Sequence, residues 1–321
     1  MALERLPLVL IAAALGLLSA TLETARAVAA DTAPSSPLEV LVLGSGGPAA
    51  LGRAGSSYIV SLDGVPRILV DAGPGSFVRA GEAHVSLESL DVVLLTHLHV
   101  DHSAELAGFV KARAVSSGRP IRFDIYGPTG QTAQGDVPFF PSTSRFISLL
   151  FDANGAFAYL KEFSAPVTFK VTDLPGVGAS ATDQPRIVVD ERGLKVSAIR
   201  GHHGDAPAVI YRIDYRGHSV AFSGDIDRKG LPALQRIAEH ANLLVFNSVV
   251  LDPPGSPEVL YSLHSPPSAI GEAAADSHVG GLLLSHLSPA VEQNQSAVVS
   301  SIAKHYQGHV QFAADGMRLR P

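Results

Sequence analysis

Apolar and polar positions along the chain fall into two periods. Short apolar runs bounded by glycine, serine or aspartate predict strands at Leu38–Leu43, Ser57–Leu62, Arg67–Asp71 and Asp91–Thr96. A helix follows at Ser103–Val110, with Leu106, Phe109 and Val110 on one face and Asp101 or Ser103 near its start. Further strands are predicted at Ile121–Tyr126, Thr168–Val171, Arg186–Val189, Lys195–Ile199, Ala208–Asp214 and Ser219–Phe222. The last third alternates: helix 231–241, strand 243–246, helix 267–276, strand 282–285, helix 290–306, strand 309–313. Strand-rich halves with helices outside predict an α/β protein with two sheets face to face, a four-layer α/β/β/α sandwich over residues 38–321. The stretch 132–165, with "VPFFPSTSRFISLLF", breaks the pattern and suits either a hydrophobic lid over a site or the packing of an insert.

The start of the chain has another character. Leu6–Ala20 is one apolar run, and Ala27-Val28-Ala29 follows as a small-residue cleavage pattern. This reads as a signal peptide over 1–30, because fifteen apolar residues fall short of the ~20 that a spanning helix needs. A flexible leader, "DTAPSSP", is expected at 31–37. The expected location is periplasmic or secreted, with no stable membrane anchor after cleavage.

Composition then narrows the chemistry. The chain has 321 residues, no cysteine and a net charge of −6 without a basic block. Disulfides and thiolate-ligated metals are excluded, so any metal must be held by histidine and carboxylate. The missing basic block argues against a nucleic-acid partner.

Residues 96–102 read T-H-L-H-V-D-H. Four ligand-type side chains in six positions suit metal binding better than a polar loop. Strand alternation places His97, His99 and Asp101 to one side and turns His102 to the other. His286, Asp225 and either His202 or His203 also sit just past apolar strands, where the loops of α/β proteins gather into sites. His84, His218, His240, His278, His305 and His309 read as ordinary surface, turn or core residues. The loop "LGSGGPA" formally contains G-x-G-x-x-A, but a strand follows it instead of a helix, so it reads as a tight turn under the active face.

These motifs, in this order, resemble the metallo-β-lactamase superfamily, and within it the ribonuclease Z and arylsulfatase-like branch. The resemblance is carried by Leu43–Pro48, Ser56–Val60, Asp71–Gly75, the 96–102 motif, His203–Arg212, Phe222–Asp225 and Ser285–Pro289. It implies the metallo-β-lactamase fold and two metal ions. His97, His99 and His203 would hold one ion, Asp101, His102 and His286 the other, and Asp225 both. It also selects His203, directly before Gly204, over His202, and gives Asp71 the task of orienting a ligand. Zinc suits the donor set, with manganese or iron compatible. Two such ions would activate a bridging hydroxide. Asp101 would orient it and take its proton, and His264 would protonate the leaving group.

Departures from the branch point to the substrate. The segment between His203 and Asp225 is a short strand–turn–strand, where ribonuclease Z carries a long arm that grips tRNA. Asn247 stands where that family has a glutamate paired with the general-acid histidine. The expectation is a hydrolase of a small-molecule ester, a phosphodiester or an aryl sulfate. Alternatives are a lactonase or β-lactamase, a ribonuclease Z-type endonuclease, and a non-catalytic metal-binding protein. A homo-oligomer is compatible with the sequence.

Overall fold

A computed structural model describes residues 36–49, 52–162, 166–176 and 183–321. The expected signal peptide lies outside these residues, as does the leader apart from Ser36 and Pro37. Those two are tied to the body: Ser36 Oγ donates to the Leu38 and Pro321 carbonyls, and the Pro37 carbonyl accepts from Asp63 N–H. Among the described residues no helix is long and apolar enough to cross a membrane.

The strands, in chain order, are β1 Leu38–Gly44, β2 Ser57–Leu62, β3 Val65–Val70, β4 Val92–Leu94, β5 Ile121–Pro128, β6 Val167–Leu174 and β7 Arg186–Glu191. They continue as β8 Leu194–Arg200, β9 Val209–Tyr215, β10 His218–Phe222, β11 Leu243–Asn247, β12 Gly281–Ser285, β13 His309–Phe312 and β14 Arg318–Leu319. One sheet has the order β14-β1-β2-β3-β4-β5-β6 and the other β13-β12-β11-β10-β9-β8-β7. In each, an antiparallel part passes into a parallel part, at β3–β4 and at β10–β11.

Alternation along the strands builds the layers. In β1, Leu38, Val40 and Val42 join Tyr211, Ile213, Phe222 and Leu283 in a core between the sheets, whereas Leu41 and Leu43 face the outer helices. The helix Leu106–Ser116 buries Leu106, Phe109, Val110, Arg113 and Ala114, a single stripe at helical spacing, against the first sheet. On the second sheet the helix Leu231–Ala238 buries Leu231, Leu234 and Ile237, and the helix Pro267–Asp276 buries Ala269, Ile270, Ala273 and Ala274. The expected four-layer α/β/β/α sandwich is therefore the observed one.

Several boundaries move. The helix expected at Ser103–Val110 is a single turn, Val100–Ser103, followed by Leu106–Ser116. The helix expected at 290–306 breaks at Asn294 into Pro289–Gln293 and Gln295–Ile302. Within 132–165, a helix Thr143–Phe151, capped by Ser142 Oγ on Arg145 N–H, buries Ile147 and Phe151 in the outer core, where Phe151 stacks on Phe169. The aromatics before it behave differently: Phe139 is exposed and the Phe140 ring lies 6.1 Å from that of His99.

Register positions the loops. Val70 pairs with Leu94 and Leu94 with Tyr126, so Asp71 and His97 leave the first sheet side by side. In the second sheet Phe222 pairs with Val245 and Asn247 with Ser285, so Asp225 and His286 emerge at one edge. The two edges are bonded to each other: Val209 N–H donates to the Thr96 carbonyl, and Tyr211 Oη to that of Leu95.

Candidate metal centre

At this joint edge the structure gathers His97, His99, Asp101, His102, His203, Asp225, His264 and His286. Their ligand atoms form four overlapping groups: His97–His99–His203, His97–His102–Asp225, Asp101–His102–His286 and His203–Asp225–His264. The Asp225 carboxylate is the hub. Its Oδ2 lies 3.9 Å from His97 Nε2, 3.6 Å from His102 Nε2, 3.7 Å from His203 Nε2, 3.6 Å from His286 Nε2 and 4.0 Å from His264 Nδ1. His286 Nε2 is also 3.2 Å from Asp101 Oδ2.

The expectation that His102 turns away does not hold. Strand geometry ends before it, and the turn Val100–Ser103 swings His102 back until its ring centroid is 4.0 Å from that of His97. Of the paired histidines, His203 faces the hub, while His202 Nδ1 bonds Asp227 Oδ2 at 2.8 Å. The remaining histidines lie elsewhere: His84, His240 and His278 occupy left-handed turn positions, His218 meets the Pro321 carbonyl, and His305 pairs with Glu272.

Each inward-facing nitrogen is set by what the other ring nitrogen touches. His102 Nδ1 meets Asp71 Oδ2 at 2.8 Å, and His203 Nδ1 donates to the Leu263 carbonyl at 2.7 Å. His97 Nδ1 lies 3.2 Å from Thr96 Oγ1, which itself donates to Asp71. With Nδ1 engaged in all three, Nε2 is the ring nitrogen left to face the centre. Asp71 is buried and also accepts from Thr96 N–H at 2.7 Å. Asp71 (φ 56°) and His286 (φ 54°) both hold the left-handed conformation at a strand end, which costs a non-glycine residue about 1–3 kcal/mol.

Close backbone packing supports the loops. Gly224, at φ 56°, presses against the Thr96 side chain; an added Cβ would sit 2.7 Å from Thr96 Cβ, so only glycine lets the Asp225 loop reach the His97 loop. The loop read as a tight turn packs on the His286 loop through Gly47 N–H to the Leu287 carbonyl and Leu287 N–H to that of Ser45.

Electrostatics mark the centre as a cation trap. Burial opposes charge on Asp225, but His286, His102 and His264 outweigh it and hold its pKa well below the usual carboxylate range. Asp101 is likewise opposed by burial yet lowered to about 2, by its hydrogen bond with His286 and by His102. Burial lowers His97, His99 and His203, keeping them neutral, and brings His264 down to about 4. His102 is the exception. Burial pulls it down, but Asp225 and Asp71 overcome this and hold its pKa well above the usual imidazole value.

A metal fits these donors. His97 Nε2, His102 Nε2 and His264 Nδ1, each facing Asp225, are buried without a hydrogen-bond partner. Unpartnered buried nitrogens are costly. Two ligands of one tetrahedral zinc stand about 3.3 Å apart, given metal–ligand bonds near 2.0–2.1 Å. The separations around Asp225 Oδ2 are slightly longer, too long for hydrogen bonds and close to such ligand edges.

Two further site residues escape a reading of the sequence by ligand type. Asn247 Nδ2 donates to Asp225 Oδ1 at 2.7 Å, and Leu263 supplies the carbonyl that fixes His203.

Comparison with known proteins gives the chain a family. Residues 66–287 match the family described as the beta-lactamase superfamily domain. A ribonuclease Z from Mycobacterium avium is 30% identical over 293 residues, covering 88% of this chain and 98% of that protein. The short form of human tRNase Z superimposes with a TM-score of 0.65 at 21% identity, covering 88% of this chain and 99% of its own. Zinc-bound PqqB from Methylobacterium extorquens gives 0.58 at 18% identity, covering 88% and 99%. The chain belongs to the metallo-β-lactamase superfamily of metal-dependent hydrolases.

Proposed function

We propose that the protein is a phosphodiesterase of the ribonuclease Z kind, working with two divalent ions, zinc by preference. The convergence of five imidazoles and the Asp101 carboxylate around one buried Asp225 carries this reading. His97, His99 and His203 would hold one ion, Asp101, His102 and His286 the second, with Asp225 between them. Such ions supply Lewis acidity and bring the pKa of bound water toward ~7.

The chain's own residues do the rest. Asp101, half-buried and ionised, orients an attacking water through its carboxylate and accepts its proton. His264, buried with Nδ1 4.0 Å from Asp225 Oδ2, would hydrogen-bond the leaving oxygen. The names of the relatives favour a phosphodiester over the aryl sulfate that the sequence left equally open.

A small phosphodiester is the second reading, favoured by the chemistry of the loops. Segments 96–105, 129–142, 201–208, 248–266 and 285–293 contain no lysine or arginine. They carry Asp136, Asp205, Glu258 and Glu292, and expose Val100, Phe139 and Val259. Arg228 and Lys229, on the Asp225 loop, and Arg53, paired with Glu292 at 2.7 Å, are cations beside them. RNA strands are bound chiefly through phosphates by cationic side chains, which these loops do not offer. Export, proposed from the apolar run at Leu6–Ala20, would also separate the enzyme from tRNA.

Zinc-loaded protein is to be assayed on bis-p-nitrophenyl phosphate, p-nitrophenyl sulfate and a precursor tRNA. Cleavage of the phosphate diester, abolished by Asp101→Ala, is expected. Cleavage of the tRNA would favour the first reading of substrate size. Turnover of the sulfate alone, or of none, would refute the proposal.

A further inference from the structure

We propose that Asn247 is a positioning residue: it caps one oxygen of Asp225 and thereby commits the other to the metal centre. The inference rests on the metal-centre reading above. The two oxygens of this carboxylate have opposite surroundings. Oδ2 faces four Nε2 atoms at 3.6–3.9 Å and His264 Nδ1 at 4.0 Å. Oδ1 accepts a 2.7 Å hydrogen bond from Asn247 Nδ2. A carboxylate turns broadly about its terminal torsion. Without a donor on Oδ1, Asp225 can rotate and give both oxygens to a single cation, leaving the neighbouring ligand group one donor short.

Asn247 is itself held firmly. It is buried at the end of β11, registered against Ser285, the residue before His286. Its N–H donates to Ser223 Oγ at 3.1 Å, two residues before Asp225. One side chain thus refers the Asp225 oxygen to the strand that delivers His286. The amide does so without adding negative charge beside Asp225, Asp101 and Asp71.

The test compares the full chain with Asn247→Leu, which has similar bulk and no donor, and with Asn247→Ala should leucine fail to pack. Folding is checked by circular dichroism and thermal unfolding. Zinc content is measured by elemental analysis and affinity by chelator competition, and the visible spectrum of the cobalt-loaded protein reports ligand geometry. Two zinc ions are expected in the wild type. In the variants the weaker ion should bind about 10–100-fold less tightly, the usual effect of losing a group that orients a ligand, with a changed cobalt spectrum. Wild-type affinity at both ions with an unchanged spectrum would overturn the role of Asn247. A wild type that holds fewer than two ions would instead defeat the metal-centre reading, and the two failures are told apart in the wild type alone.

Discussion

Asp71→Asn changes one atom at a position that touches no expected substrate, yet it should weaken the centre. Asn tolerates the left-handed backbone that Asp71 adopts at φ 56°, so the substitution isolates the charge from the conformation. The carboxylate accepts three bonds: Thr96 N–H at 2.7 Å, Thr96 Oγ1 at 2.8 Å and His102 Nδ1 at 2.8 Å. An amide can satisfy them in two ways, and both fail. If its NH2 faces Thr96 N–H, two buried donors oppose each other. If its NH2 faces His102, Nδ1 must give up its proton and Nε2 must take one, which removes the lone pair from the centre. Either way at least one bond to a charged acceptor is lost, about 1.5–3 kcal/mol. Urea unfolding with a chelator present should show a loss of this size. Zinc titration should show the ion at Asp101, His102 and His286 weakened about 10–100-fold. A variant that keeps wild-type stability and binds both ions at wild-type affinity would refute the tautomer argument.

His203→Ala should strip zinc from the site and abolish turnover. His202→Ala breaks a pair with Asp227 on a side chain 21% exposed and should leave zinc content unchanged; equal losses from both would contradict the observed orientation, as read by elemental analysis. His264, with its pKa held down to about 4, is neutral above that pH, so it should add no inflection to the rate profile between about pH 5 and 8. His264→Ala should lower kcat with metal content intact, and an inflection near neutrality that disappears in this variant would show the protonated form at work.

Much of the site was legible because its densest part is contiguous. Four ligand-type residues within His97–His102 need no tertiary knowledge to be noticed. Asp225 and His286 could be found because each ends a strand whose apolar run is plain. What spacing and ligand type alone left open depends on neighbours distant in sequence. The direction of His102 follows from a single helical turn at the strand's end, where the strand period no longer applies. His202 and His203 are told apart by Asp227 and the Leu263 carbonyl, which spacing does not reveal. Asn247 is not a ligand type, and only the β10–β11 register brings it to Asp225. The same holds for the fold. Ile147 and Phe151 in the helix Thr143–Phe151 read as a lid or as core with equal ease until the sheet beneath them is seen.

Diffraction from zinc-loaded crystals, measured on both sides of the zinc absorption edge, tests the proposed two-ion centre most directly. Two anomalous peaks about 3.5–4 Å apart are expected. One should lie among His97, His99 and His203 and the other among Asp101, His102 and His286, with Asp225 Oδ2 between them. A single peak, or peaks away from Asp225, would contradict the account.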